Sequence, residues 1–316
     1  GGRSGGGSRW PGVRGILAAC RQIAAATGPL VAVLALAWPA CGETEAAAFP
    51  PSEQLLPAAT RAWVSVADPA ALKKRFEQSA LGGLVYDPLM STFLDGLRQQ
   101  GRTSVDPLRG SLEITLQEVD SIAGGEICLG AIEQADGRLA TAVLIDATGR
   151  QDRIPAVVEA VCLRVAAKGG RPLASPPAVK AFEIPATAGD AKGGAASGPT
   201  AARQFAIAVT PAAVVVGDRL DAVNALAATI GNGGAAAGGG RAGTLAAVPA
   251  FAKVAERCGA GVPKATPTLR WFVDPLAYLA ADRRTYPPKK SKKGPDYVAI
   301  FKRQGFDAVN GAGGCL

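Results

Sequence analysis

The chain contains no histidine, and this absence removes more chemistry than any motif adds. Ser-His-Asp and Cys-His catalysis, the His-Glu-x-x-His zinc site and the histidine pH switch all need an imidazole. The six cysteines, at 20, 41, 128, 162, 258 and 315, include no Cys-x-x-Cys pair, which leaves zinc ribbons and thioredoxin-like motifs without support. No Gly-Lys-Ser or Gly-Lys-Thr occurs, and Gly231-Asn232-Gly233-Gly234 and Gly238-Gly239-Gly240 follow a helical pattern instead of joining a strand to a helix. They read as a flexible insert, not a phosphate cradle. Asp146-Ala147-Thr148-Gly149 departs from the Asp-Thr-Gly of aspartic proteases by its alanine, and no second copy builds a carboxylate dyad. It reads as a turn after a strand. These absences leave no catalytic residue, no cofactor and no metal ligand to assign.

Charge excludes a further class. The formal net charge is +8, but six of the positive charges fall between Arg283 and Lys293. A basic face or groove for phosphates is not spread along the chain, so nucleic acid is not an expected partner. Lys289-Lys290-Ser291-Lys292-Lys293, flanked by Tyr286 and Tyr297, reads as a solvated loop, with an anionic partner or envelope surface as the alternative.

The N-terminal region is informative. Met90 is the one methionine, so no initiator opens the chain, and residues are expected to be missing at the start. Leu30 to Trp38 is an apolar core of signal-peptide length, bracketed by Pro29 and Pro39, and Ala46-Ala47-Ala48 supplies small residues before Phe49. Residues 1–48 are therefore a signal peptide or an N-terminal anchor through residues 22–42, which carry no charge. Cleavage predicts a mature start near Phe49 and an exported protein, in periplasm, cell envelope or medium. Retention predicts membrane attachment.

The repeated unit of the folded part is a strand that runs into a helix through Asp-Pro. In Arg61 to Phe76, Trp63, Val64 and Val66 favour a pleated backbone, Asp68 suits an N-cap, and Pro69 suits the first helical position. The pattern returns at Trp271-Phe272-Val273-Asp274-Pro275 and, with Arg219 in place of proline, around Asp218. The first helix is expected to stop at Gly82-Gly83, and Asp87-Pro88 to open a second one whose Leu89, Met90, Phe93, Leu94 and Leu97 form an apolar stripe. Thr115 to Glu118 is a capping box. Glu126–Glu133 and Leu139–Asp146 predict a hairpin, followed by a helix from about Ile154 to Lys168. A second hairpin, Phe205–Val209 with Ala213–Gly217, also leads to a helix, so a ββα order occurs twice. Helices are expected around Pro249–Cys258 and Tyr297–Arg303. Residues 189–202 are low in complexity and read as an excursion. Cys128, Cys162 and Cys258 read as thiols on apolar faces, and export permits disulfides. Four cysteines beyond Phe49 allow three full pairings, among which sequence does not choose.

These readings predict an α+β protein of two related halves, with antiparallel or mixed sheets and helices packed on them. Residues 49–170 form the first half and 171–316 the second, with glycine-rich inserts. The expected role is a non-catalytic interaction or structural protein of the cell envelope, not an enzyme. Its partner is an envelope protein. The alternative is a carrier of a small apolar ligand held between sheet and helices. Phe306, Ala308 and Asn310 alternate like a strand, and Gly311 to Gly314 reads as a turn feeding a strand that does not follow. An open edge and self-association are therefore expected, together with a chain incomplete at its C-terminus.

Leu55-Leu56-Pro57, Ala80-Leu81-Gly82 ahead of Asp87-Pro88-Leu89-Met90, Trp271 to Pro275, and Gln304-Gly305-Phe306-Asp307-Ala308-Val309 with Gly311, Gly313 and Gly314 carry a resemblance. Over about Leu55 to Gly314 the chain resembles exported proteins of planctomycete type, a domain-of-unknown-function family of the bacterial envelope. The resemblance implies export and an α+β repeat architecture. It implies no activity.

Overall fold

The computed structural model describes residues 49–85, 87, 90, 113–185, 202–231, 243–261, 267–286 and 296–316. The signal or anchor segment, the apolar stripe after Asp87, both low-complexity stretches and the lysine-rich loop lie outside them.

In chain order the elements are α1 (Ser52–Leu55), β1 (Thr60–Val66), α2 (Pro69–Gln78), α3 (Ala80–Val85), α4 (Leu116–Ile122), β2 (Ile127–Glu133) and β3 (Leu139–Asp146). Then come α5 (Ile154–Ala167), β4 (Arg171–Leu173), β5 (Val179–Ile184), β6 (Arg203–Val209), β7 (Ala213–Gly217) and α6 (Leu220–Gly231). The chain continues with α7 (Pro249–Gly261), β8 (Leu269–Val273), α8 (Pro275–Thr285), α9 (Tyr297–Arg303) and β9 (Ala312–Cys315). The fold is α+β. Its strands form one nine-stranded sheet in the order β4-β5-β6-β7-β3-β2-β1-β8-β9, with antiparallel pairing throughout.

Local sequence explains the helix starts. The Asp68 carboxylate accepts from Ala71 N–H at 2.8 Å and that of Asp274 from Ala277 N–H at 3.1 Å, each with proline next in the chain. The Thr115–Glu118 capping box is complete in both directions. Other local expectations are corrected. Gly82 and Gly83 do not stop a helix: α2 ends at Gln78, and Ser79 opens α3 through them, its hydroxyl accepting from Gly82 N–H at 3.0 Å. Asp218 does not cap α6, which starts at Leu220. Its carboxylate accepts from Thr141 N–H on β3 at 2.7 Å. Residues Phe306–Ala308 form a single 3-10 turn, not a strand.

Both faces of the sheet are covered, and β7 shows why. Its Ala213, Val214, Val215 and Val216 are all buried; Ala213 and Val215 enter one core, Val214 and Val216 the other. A strand buried on both sides needs such a continuous apolar run. The first core is closed by Leu55, by Val223, Leu226 and Ile230 of α6 and by Phe251 of α7, over Trp63, Leu144 and Phe272. The second is closed by Val119 and Ile122 of α4 and by Val157, Val158, Val161 and Val165 of α5. The two ββα units therefore follow the same order but send their helices to opposite faces. Segments 49–170 and 171–316 share the sheet through β3–β7 and β1–β8, and the first core draws on both.

The Gly311–Gly314 run is packing, not a turn. A Cβ on Gly311 would lie 3.1 Å from the Ala250 Cβ, and one on Gly313 would lie 2.5 Å from Val254 Cγ1. On the opposite face, a Cβ on Gly314 would press within 2.9 Å of the Trp271 indole nitrogen. Only glycine admits α7 on one side of β9 and the Trp271 ring on the other.

Candidate functional site

Antiparallel register aligns chemistry that sequence keeps far apart. Cys128 of β2 pairs with Ser65 of β1, Ser65 with Arg270 of β8, and Arg270 with Cys315 of β9. Directly paired residues project to the same face, so a thiol, a hydroxyl, a guanidinium and a second thiol stand in one row beneath α1. Glu126, two residues before Cys128, shares that face by the two-residue period of a strand.

Around this row lies a part-buried polar network. The Glu126 carboxylate accepts from Ser52 N–H at 2.9 Å, from the Ser52 hydroxyl at 2.5 Å and from the Ser65 hydroxyl. The Ser52 hydroxyl in turn accepts from the Trp63 indole N–H at 3.0 Å. Arg270 donates two parallel bonds to Glu53, at 2.6 and 3.0 Å, approaches Glu126 at 3.7 Å, and stacks over the Trp63 ring at 5.1 Å from its centroid. A planar fork that pairs bidentately with a carboxylate and also stacks flat on an aromatic ring is a property of arginine that lysine lacks. Burial, reinforced by the negative charge of Glu126, drives the Cys128 thiol far above its ordinary range, so it stays protonated and is no nucleophile. The arrangement clamps α1 to the sheet over β2, β1 and β8, with the Arg270 Nε buried and without a hydrogen-bond partner among the described residues.

A second cluster gathers where β3, α6 and α8 meet. Burial lifts Asp218 to about 6 against the pull of the Thr141 N–H, and burial alone raises Asp282. Tyr278 is pushed up to about 12 by burial and then by Asp282. Tyr286 is raised by loss of water and then by Asp218 and Asp282 together. Both carboxylates act on Tyr286, yet Asp282 feels burial alone.

Asp68 and Asp274 occupy caps. The Asp146 carboxylate accepts from Thr148 N–H at 2.9 Å and from its hydroxyl at 2.6 Å, closing the turn expected there, with Gly149 at φ +75°. The clamp had no sequence signal: Ser52 and Glu126 are 74 positions apart, Glu53 and Arg270 217. Among the described residues no group of three or more Cys, Asp or Glu side chains could hold a metal ion, and no helix is long and apolar enough to cross a membrane. No family model matches the chain, and no curated protein or solved structure is similar to it.

Proposed function

We propose that the chain is an exported, non-catalytic interaction or structural protein of the cell envelope whose β9 edge accepts a further strand, in the chain of 316 residues that of a second copy. The observation that carries this reading is the contrast between the two edges of the sheet. Edge strand β4 is three residues long, centred on Pro172 and opened by an exposed Arg171; shortness, proline and charge are the devices that blunt an edge. Edge strand β9, Ala-Gly-Gly-Cys, is one residue longer and carries neither proline nor charge. Leu316 and Leu269 exchange both backbone bonds, at 2.9 and 3.3 Å. By antiparallel alternation the N–H and C=O groups of Gly313 and Cys315 point away from β8. Val309 and Leu316, flanking β9, are exposed large apolar residues. Two β9 edges can meet about a two-fold axis, the self-complementary geometry of a homodimer.

Export is supported by the apolar run Leu30–Trp38 and by Ala46-Ala47-Ala48, which stand just before the clamped Ser52 and Glu53. The family resemblance points the same way. The ligand-carrier alternative would need space where Trp63, Phe251 and Phe272 already pack edge to face at 5.3 and 5.4 Å. Sedimentation velocity over a concentration series tests the assembly. We expect a reversible dimer that Ala312→Lys, a charge placed on the edge, shifts to monomer. A monomer at every soluble concentration, or a dimer indifferent to Ala312→Lys, would overturn the proposal.

A further inference from the structure

We infer that Cys258 and Cys315 are a redox pair that closes into a disulfide bridging α7 to β9. The inference stands on the approach of helix to strand and does not depend on how the edge of β9 is used. Three rungs connect the elements: Gly311 faces Ala250, Gly313 faces Val254, and Cys315 faces Cys258. Two residues along a strand advance about 6.8 Å and four along a helix about 6 Å, so the rungs stay in step. At the first rung a Cβ built on Gly311 would stand 3.1 Å from that of Ala250. A disulfide needs Cβ atoms about 3.5–4.5 Å apart, so at the first rung the elements approach more closely than a disulfide requires. At the third rung the Cys315 thiol already reaches the Cys258 carbonyl oxygen, at 3.9 Å.

Both cysteines are free and half-buried, so a small oxidant can reach them. The Cys258 thiol is pushed up to about 11 by burial first and then by Cys315, while the Arg270 guanidinium pulls the other way; the two sulfurs therefore act on each other. The remaining described cysteines are elsewhere. Cys128 belongs to the first core and Cys162 packs against the second, so the sheet separates them. Three strand spacings, about 14 Å, separate Cys128 from Cys315. Of the three full pairings that sequence allows, none forms without distorting the sheet, but this single bridge does.

The oxidant belongs to the class of disulfides, with oxidised glutathione as the probe. One protein thiolate attacks a glutathione sulfur, breaking its S–S bond and releasing one glutathione thiolate. The second protein thiolate attacks the protein-bound sulfur of the mixed disulfide, forming the Cys258–Cys315 bond and releasing the second glutathione. The two protons lost by the protein are taken up by the two glutathione thiolates, and two electrons pass to the oxidant.

The test is equilibration of the full chain in glutathione buffers from reducing to oxidising, followed by peptide mapping under non-reducing conditions. We expect one cross-linked peptide joining Cys258 to Cys315, lost in Cys258→Ser and in Cys315→Ser and retained in a Cys128→Ala, Cys162→Ala double variant. Oxidation should also slow hydrogen exchange of the β9 amides in the wild type but not in Cys258→Ser. Stable glutathione adducts on both cysteines without a bridge, or a bridge to any other cysteine, would overturn the inference. Circular dichroism of each variant separates loss of the bridge from loss of fold.

Discussion

Replacing Asp218 by asparagine should stabilise the protein at neutral pH and leave it unchanged in acid. The Asp218 carboxyl lies between β3 and α6, takes the Thr141 N–H at 2.7 Å, and rises from 3.8 to about 6, mainly through burial. For an acid whose folded value exceeds its unfolded one, the native state holds the proton more tightly. Between about pH 4 and pH 6 it therefore binds more protons than the unfolded chain, and stability falls as pH rises through that window. Roughly two units at about 1.4 kcal/mol each give a loss approaching 3 kcal/mol, an upper figure because part of the carboxyl still meets solvent. Asparagine keeps the acceptor for Thr141 and cannot ionise. Urea denaturation of both proteins across this range, compared at each pH, isolates Asp218, because Asp282 titrates in both. The difference in unfolding free energy should grow from near zero at the acid end to about 2–3 kcal/mol above the window. A difference independent of pH would refute the buried-carboxylate reading. So would an asparagine variant that is weaker throughout.

Two other perturbations follow from the geometry. Asp68→Ala and Asp274→Ala should each cost about 1 kcal/mol, the usual loss for an N-cap, and the costs should add in the double variant because they cap separate helices; thermal melts of the three variants check this, and strong non-additivity would show the caps are coupled. Glu126→Ala removes the common acceptor of Ser52 and Ser65 and leaves Arg270 facing Glu53 alone, so a loss of about 3 kcal/mol is expected in chemical denaturation. A change below about half a kcal/mol would mean that water replaces the clamp.

The caps were legible because each is a contact between neighbours in sequence, and the hairpins because their apolar periods are local too. Strand β5 could have been found: Val179, Ala181 and Ile184 are buried while Lys180 and Glu183 are exposed, but prolines on either side mask the alternation. Strand β9 could not. Glycine has little strand propensity, and those positions are extended because α7 and Trp271 press on them from either side. Asp218 leaves its expected cap for a related reason. An aspartate between a strand and a helix suits a cap, and only the position of Thr141 on another strand claims it instead. The clamp and the thiol row depend wholly on register across β2, β1, β8 and β9, which no window of sequence contains.

The placement of β1 also governs how the chain reaches this fold. It sits between β2 and β8, and its Val66 pairs with Leu269, a partner made some two hundred residues later. Such distant pairing is slow to find. During synthesis, one side of β1 must stay unpaired until β8 arrives, with Trp63 and Val64 on an open strand. Folding should therefore be held to its last steps by the docking of β8. A nascent chain halted before Leu269 would present an aggregation-prone edge in the middle of what becomes the sheet, the interval in which a chaperone has most to protect.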